Sequence, residues 1–211
     1  MPDSNLASPP SSKIADPSHE VLALVAERWS PRAFADRPVE PEKIRQILEA
    51  ARWAASSYNE QPWRYLVATK DDPETYEQLL GCLNAGNQEW AQTAPVLMLS
   101  FYKQSFSHND APPNRCAEHD VGAASAQLTM QAMALDLYVH QMAGIDRDAI
   151  RDTYDVPDDF APMAALAVGY LGDPSRIPEK FHDGEHAKRT RRPLDETVFG
   201  ATWGDTAALV E

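Results

Sequence analysis

Ser56-Ser57-Tyr58-Asn59-Glu60-Gln61-Pro62-Trp63 is the stretch that decides how this chain is read. Before it, Pro41 opens a helical pattern in which Ile44, Ile47, Leu48 and Ala51 recur on one face; after it, Arg64-Tyr65-Leu66-Val67-Ala68-Thr69 has the composition of a strand. The polar run therefore belongs to a helix-to-strand loop. Two Arg-bearing segments bracket it from opposite ends of the chain, Arg28-Trp29-Ser30-Pro31-Arg32 and Arg189-Thr190-Arg191-Arg192. Guanidinium forks and hydroxyls suit a phosphate because they give charge-assisted, often bidentate hydrogen bonds, while Asn and Gln amides can address the polar edge of a heterocycle.

Each part taken singly has a plainer reading. Arg28, Ser30 and Arg32 could finish a helix, where Arg favours the dipole and binds carbonyls. Lys188 to Arg192 could be a solvated basic cluster, and Ser56 to Gln61 a simple loop. The three together, in this order and with Pro62-Trp63 closing the middle one, are much more specific than any one part.

Outward from this stretch, Asp16-Pro17 predicts a helix start, with Val21, Val25 and Trp29 at helical spacing and an end near Ser30-Pro31. Asp72-Pro73 predicts another, carrying Tyr76, Leu79 and Leu80 inward. Asn84 to Trp90 is turn-rich and passes through a short helix, Ala94 to Phe101 is a buried-type strand, and Lys103 to Arg115 is a loop. From Cys116 to Gln141 the chain has no Pro and only Gly122, which predicts one long helix buried on more than one side. Met142-Ala143-Gly144-Ile145-Asp146 ends it and offers Asp146 as the next cap. Met163 to Leu171 is a third strand. After Gly172-Asp173-Pro174 the chain is irregular until Arg189, and Leu194 to Phe199 is a short final element or arm.

With 211 residues, 43% of them hydrophobic, one compact domain over residues 13–211 is the expectation, following a disordered arm from Met1 to about Ser12. A formal charge of −13 argues against nucleic acid and anionic membrane surfaces. An anionic cofactor remains compatible, because exposed charges beyond about 8 to 10 Å are screened whereas a guanidinium in contact is not. No stretch has the apolar core of a signal peptide, and runs such as Pro95 to Leu99 fall far short of the roughly 20 residues that cross a bilayer. Cys82 and Cys116 form no CxxC pair, so a reducing cytoplasm is the expected compartment.

Several chemistries find no support. No GxGxxG follows a strand, and neither GxxxxGK[ST] nor a GxSxG elbow occurs. His182 and His186 are four apart, but Gly184 lies between them and no third ligand is evident, which predicts loop histidines rather than a metal site.

In these motifs and their order the chain resembles the nitroreductase family of FMN-dependent, NAD(P)H-using oxidoreductases. The pattern is Arg28, Ser30 and Arg32 early; Ser56, Ser57, Asn59, Gln61, Pro62 and Trp63 next; Gly144 after the central helix; and Arg189 with Arg191 near the end. The match covers nearly everything after residue 20. It departs at Ala55, where the family often has Pro. The resemblance implies an α+β fold with a central, mostly antiparallel sheet flanked by helices, assembled as an intertwined homodimer. It implies that Arg28, Ser30, Arg189 and Arg191 hold the FMN phosphate, that Arg32 faces the N1 and O2 edge of the flavin, and that Asn87 meets the pyrimidine ring. Trp29, Gln61, Met142 and Ala143 would also line the cofactor, the Gly144 N–H would lie near N5, and Ser56, Ser57 and Asn59 would come from the partner subunit.

The function implied is transfer of hydride from NADH or NADPH to a small, electron-poor acceptor such as a nitroaromatic or quinone. The alternatives are another chemistry on the same scaffold, namely enone reduction, dehalogenation or flavin degradation, and a flavin-binding protein without turnover. With no nucleotide fold of its own for NAD(P)H, donor and acceptor would use one pocket in turn, by a ping-pong mechanism. No side-chain nucleophile is called for, since the flavin carries the redox step and the protein supplies position and electrostatics.

Overall fold

The computed structural model describes residues 8–108 and 113–210, so the first seven residues of the expected arm and part of the loop expected at Lys103 to Arg115 lie outside the described residues. The expected α+β architecture is present. A four-stranded sheet, with β1 (Trp63–Thr69), β2 (Val96–Lys103), β3 (Tyr138–Met142) and β4 (Phe160–Gly169), runs in the order β1-β2-β4-β3. All three pairings are antiparallel. β2 and β4 are central and apolar, as strands covered on both faces must be; β1 and β3 are the edges.

Side chains alternate across the sheet and so build two cores. On one face Val96, Met98, Val139, Leu166 and Val168 meet α2 (Pro41–Arg52) through Ile47 and Ala51, and α5 (Ala117–Met133) through Val121, Ala124, Leu128 and Ala132. On the other, Leu97, Leu99, Tyr138, Met142, Ala165 and Ala167 meet Tyr76 and Leu79 of α3 (Pro73–Gly81) and Trp90 of α4 (Ala85–Ala91). Ile150 of α6 (Arg147–Tyr154) joins them, and α6 is capped by Asp146, which accepts from Ala149 N–H at 3.0 Å. Each large aliphatic side chain buried in these layers contributes roughly 1.5 to 3 kcal/mol.

Two expectations need correction. The helix expected from Cys116 to Gln141 stops at Met133, and Tyr138–Met142 is instead the edge strand β3. The break falls at Asp136, whose φ of 62° is left-handed, a conformation short polar side chains tolerate and a helix interior does not. Once past it, Tyr138 and Met142 face one core and Val139 the other, the alternation of a strand. The helix expected from Asp16 forms only as α1 (Ala23–Glu27). Ala15 N–H donates to the Ala26 carbonyl at 2.8 Å, which a single helix across those 11 residues, about 16 Å long, would forbid.

Segment 28–35 is fixed by the end of β4. Ala35 N–H donates to Tyr170 O, Gly172 N–H donates to Ala33 O, and Phe34 bridges Leu171. A Cβ at Gly172 would overlap the Phe34 backbone, so only glycine allows this approach. The irregular C-terminal region carries a short helix, α7 (His182–His186), whose Glu185 is buried. Among the described residues no helix is long and apolar enough to cross a membrane.

Candidate functional site

The early and late arginines converge. Arg28, Arg189 and Arg191 line one cavity of ≈ 580 Å³, walled also by Asp16, Pro17, Val21 and Val25; Asp16 pairs with Lys188 at 3.6 Å. Desolvation and then the neighbouring Arg191 lower the pKa of Arg28; Arg189 is lowered by burial and then by Arg28 and Arg191. None of the three pairs with a carboxylate among the described residues. Their hydrogen bonds go elsewhere: Arg28 Nη1 donates to Ser30 Oγ at 3.4 Å, Arg191 Nη1 to Thr190 O, and Arg189 Nη1 to the Lys13 and Ala26 carbonyls at 2.9 and 2.6 Å. Two partly desolvated cations, Arg28 and Arg189, beside a third, Arg191, repel one another and are costly without an anion between them. The donor set fits a phosphate.

Arg32 continues this surface towards the sheet. Its guanidinium lies over the rings of Trp90 and Phe181, at 5.9 and 5.6 Å from their centroids. Trp90 in turn packs on His140 of β3, ring centroids 4.4 Å apart, and His140 Nδ1 donates to Pro31 O at 2.9 Å. Burial holds His140 down at about 4, so its ring is neutral at pH 7, with the Nδ1 proton fixed by that carbonyl. Thr93 Oγ1 donates to the carbonyls of Arg32 and Trp90, tying the two segments together.

One turn before Trp90, Asn87 Nδ2 donates to Gly144 O at 3.0 Å, and Asn84 N–H donates to the same carbonyl. A Cβ on Gly144 would stand 2.5 Å from Asn87 Nδ2 and 3.3 Å from Asn84 Nδ2, so the absence of a side chain keeps this corner open. Arg28, with Ser30 in contact, gathers with Arg189 and Arg191 at the cavity, while Arg32, Asn87 and Gly144 make a second stretch of wall beside Trp90 and β3. Trp29 and Met142 belong to its backing, since both side chains are in the core; the Trp29 indole meets Tyr138 edge-on and its buried Nε1 has no partner. Ala143 is exposed beside Gly144.

Ser56, Ser57, Asn59 and Gln61 are elsewhere in the same chain. They precede β1, whereas Arg32, Asn87 and Gly144 gather at β3, and three strand spacings of about 4.8 Å separate these edges. Ser57 N–H donates to Asp120 Oδ2 at 2.9 Å, Ser56 Oγ accepts from Gln61 N–H at 3.0 Å, and the Gln61 amide donates to Asn59 O. Tyr58, Asn59 and Gln61 all have positive φ, of 53°, 54° and 53°. Glu60 clamps the loop: its nearly buried carboxylate accepts from Ser107 N–H, Ser107 Oγ and Lys103 Nζ. Although burial pushes Glu60 up, those hydrogen bonds outweigh it and hold its pKa below 4.5. Tyr58, 82% exposed, leans on Phe106 and His108.

Residues 25–170 match the model of the nitroreductase family. The chain belongs to the nitroreductase family. A solved structure described as an oxidoreductase containing FMN has a TM-score of 0.85 and 35% identity, covering 90% of this chain and 96% of that one. An uncharacterised 15.4 kDa protein of Mycolicibacterium smegmatis is 35% identical over 132 residues, 63% of this chain and 86% of that protein. The FMN reductase (NAD(P)H) of Bacillus subtilis is 25% identical over 77% of this chain and 72% of its own length.

Within this nitroreductase, three supporting residues have no counterpart in the sequence reading. Glu185 accepts from the Arg32 and Ala33 N–H groups, Lys13 donates to the Gly184 and Ala187 carbonyls, and Asp120 anchors Ser57. Glu185 and Lys13 stand in polar stretches without periodicity, so no local pattern announces that they are buried. Asp120 lies on the buried face of α5, where an acid among Val121, Ala124 and Leu128 is the one available signal.

Proposed function

We propose that this nitroreductase binds FMN and uses NAD(P)H to reduce a small, electron-poor acceptor of the nitroaromatic or quinone type. The convergence of Arg28, Arg189 and Arg191 on one cavity, where none of them forms an ion pair among the described residues and the lining Asp16 pairs with Lys188 instead, carries the reading. In it these arginines and Ser30 hold the phosphate, Arg32 meets the N1 and O2 edge of the flavin, Asn87 meets the pyrimidine ring, and Gly144 gives room and an N–H at N5. The related protein from Bacillus subtilis is named for FMN and NAD(P)H, which supports the same donor here. When bound, the flavin supplies hydride acceptance and donation; the chain supplies place and charge. A fixed cation at Arg32 favours the negative charge that reduction brings.

The distance between the two sheet edges supports a homodimer in which Ser56, Ser57 and Asn59 of one protomer complete the wall of the other. It also explains why a single chain leaves Arg32, Asn87 and Gly144 outside the arginine-lined cavity. Donor and acceptor then use the same opening in turn. The test is anaerobic: NAD(P)H bleaches the yellow protein, a quinone or nitroaromatic restores the colour, and steady-state lines for the two substrates run parallel. Intersecting lines contradict the shared opening, and a protein that binds no FMN contradicts the reading as a whole.

A further inference from the structure

Glu185 lies beneath Arg32 and is 1% exposed. Its Oε1 accepts from Arg32 N–H at 3.1 Å and its Oε2 from Ala33 N–H at 3.5 Å, while Arg32 Nη1 lies 3.9 Å from Oε1. Lys13, itself buried, faces it from the N-terminal turn and donates to the carbonyls of Gly184 and Ala187 on either side, at 2.7 and 2.6 Å. Burial pushes the Glu185 carboxyl up, against the hydrogen bonds from Arg32 and Ala33 and the charges of Arg32 and Lys13. Stability alone gives little reason for such a group, since a buried ion pair is at best a weak stabiliser. Its position under one particular guanidinium does give a reason.

We propose that Glu185 is a positioning residue for Arg32: it pins the Arg32–Ala33 backbone and offsets part of the guanidinium charge offered to the flavin, thereby setting the balance between oxidised and reduced cofactor. The inference rests on the reading that Arg32 meets the flavin. Reduction adds one hydride from NAD(P)H, two electrons and a proton, which leaves NAD(P)+ and one extra negative charge on the flavin. A carboxylate behind Arg32 opposes that charge, so its removal must favour the reduced form.

The test is the midpoint potential of bound FMN, measured by equilibration with a reference dye in wild type, Glu185→Gln and Glu185→Asp. Glu185→Gln, which keeps an oxygen acceptor but no charge, is expected to shift the ratio of oxidised to reduced dissociation constants by ~10-fold towards the reduced form, a rise of roughly 30 mV for a two-electron couple. Glu185→Asp keeps the charge and is expected to stay near wild type. In an Arg32→Ala background the effect of Glu185→Gln is expected to shrink to a small part of its size. FMN bound by Glu185→Gln at an unchanged potential overturns the inference alone; wild type that binds no FMN overturns the cofactor reading and this with it. Should Glu185→Gln not fold, wild type is taken to acid, where protonation of Glu185 removes the same charge: the potential must climb above the line followed by free FMN, and a parallel course overturns the proposal.

Discussion

The two edges of the sheet solve opposite problems. At β3 the chain gathers positive charge, with Arg28, Arg189 and Arg191 sharing one cavity and Arg32 held over Trp90, and leaves the three cavity arginines without an ion pair among the described residues. At β1 the Ser56 to Gln61 loop is satisfied within its own chain: Asp120 accepts from Ser57 N–H, Glu60 accepts from Lys103 and Ser107, and three residues take positive φ to hold its shape. One edge has donors in need of a ligand; the other presents a shaped surface in need of a neighbour. The proposed homodimer, with its site divided in this way, would account for motif residues that do not stand together in one chain.

The largest effect is expected at the β3 edge. Each charge-assisted hydrogen bond contributes roughly 1.5 to 3 kcal/mol, so Arg28→Ala with Arg191→Ala should weaken FMN binding by about 10² to 10⁴-fold in a fluorescence-quenching titration. Thermal stability should change little, because neither guanidinium holds the backbone of another element. Arg189→Ala should lower both affinity and melting temperature, since Arg189 also binds the Lys13 and Ala26 carbonyls. Equal loss of affinity from substitutions at residues 37 and 45 would erase the contrast.

Acid should separate the edges next. His140 has its folded pKa depressed to about 4 from 6.5, so the unfolded chain takes up the proton first. Stability from the β3 edge is therefore full above pH 6.5 and lost as pH falls from 6.5 towards 4, by at most about 3 kcal/mol. Glu60 has its folded pKa below 4.5, so its contribution is present above 4.5 and fades only as pH falls through the lowered value. Melting curves across pH should show His140→Gln flattening the first limb and Glu60→Gln the second. A single limb unaffected by His140→Gln would count against a neutral, buried ring.

The smallest change is expected from Gly144→Ala. The new methyl displaces the Asn87 amide and its hydrogen bond to Gly144 O, a loss of about 1 kcal/mol and roughly a fivefold weaker hold on FMN, with the β1 loop untouched. Isothermal titration resolves that difference. Tighter binding would mean that the corner is not part of the cofactor wall.

Much of this was legible in the sequence, and the failures share a cause. α2, α3 and strands β1, β2 and β4 have strong periodicity or apolar runs with Pro or Asp at their starts, so local signals and tertiary packing agree. β3 was absorbed into the helix before it because no Gly or Pro marks the break, and Asp136 takes the left-handed turn without announcing it. The convergence of Arg28 with Arg189 and Arg191 could be anticipated because three motifs in a fixed order are far more specific than either arginine segment alone. Glu185 and Lys13 could not, since burial of a charge in a segment without periodicity depends on what packs over it.

The most direct measurement mixes two crippled proteins. One carries Arg28→Ala and Arg191→Ala, the other Ser57→Ala and Asn59→Ala; each alone should bind FMN poorly. Dissociated and reassembled together, they should recover about a quarter of the sites, one in each mixed pair, as random pairing of protomers dictates. A mixture as empty as its parts, or a chain that saturates with FMN while monomeric, would contradict a site shared between the β3 edge of one protomer and the β1 loop of the other.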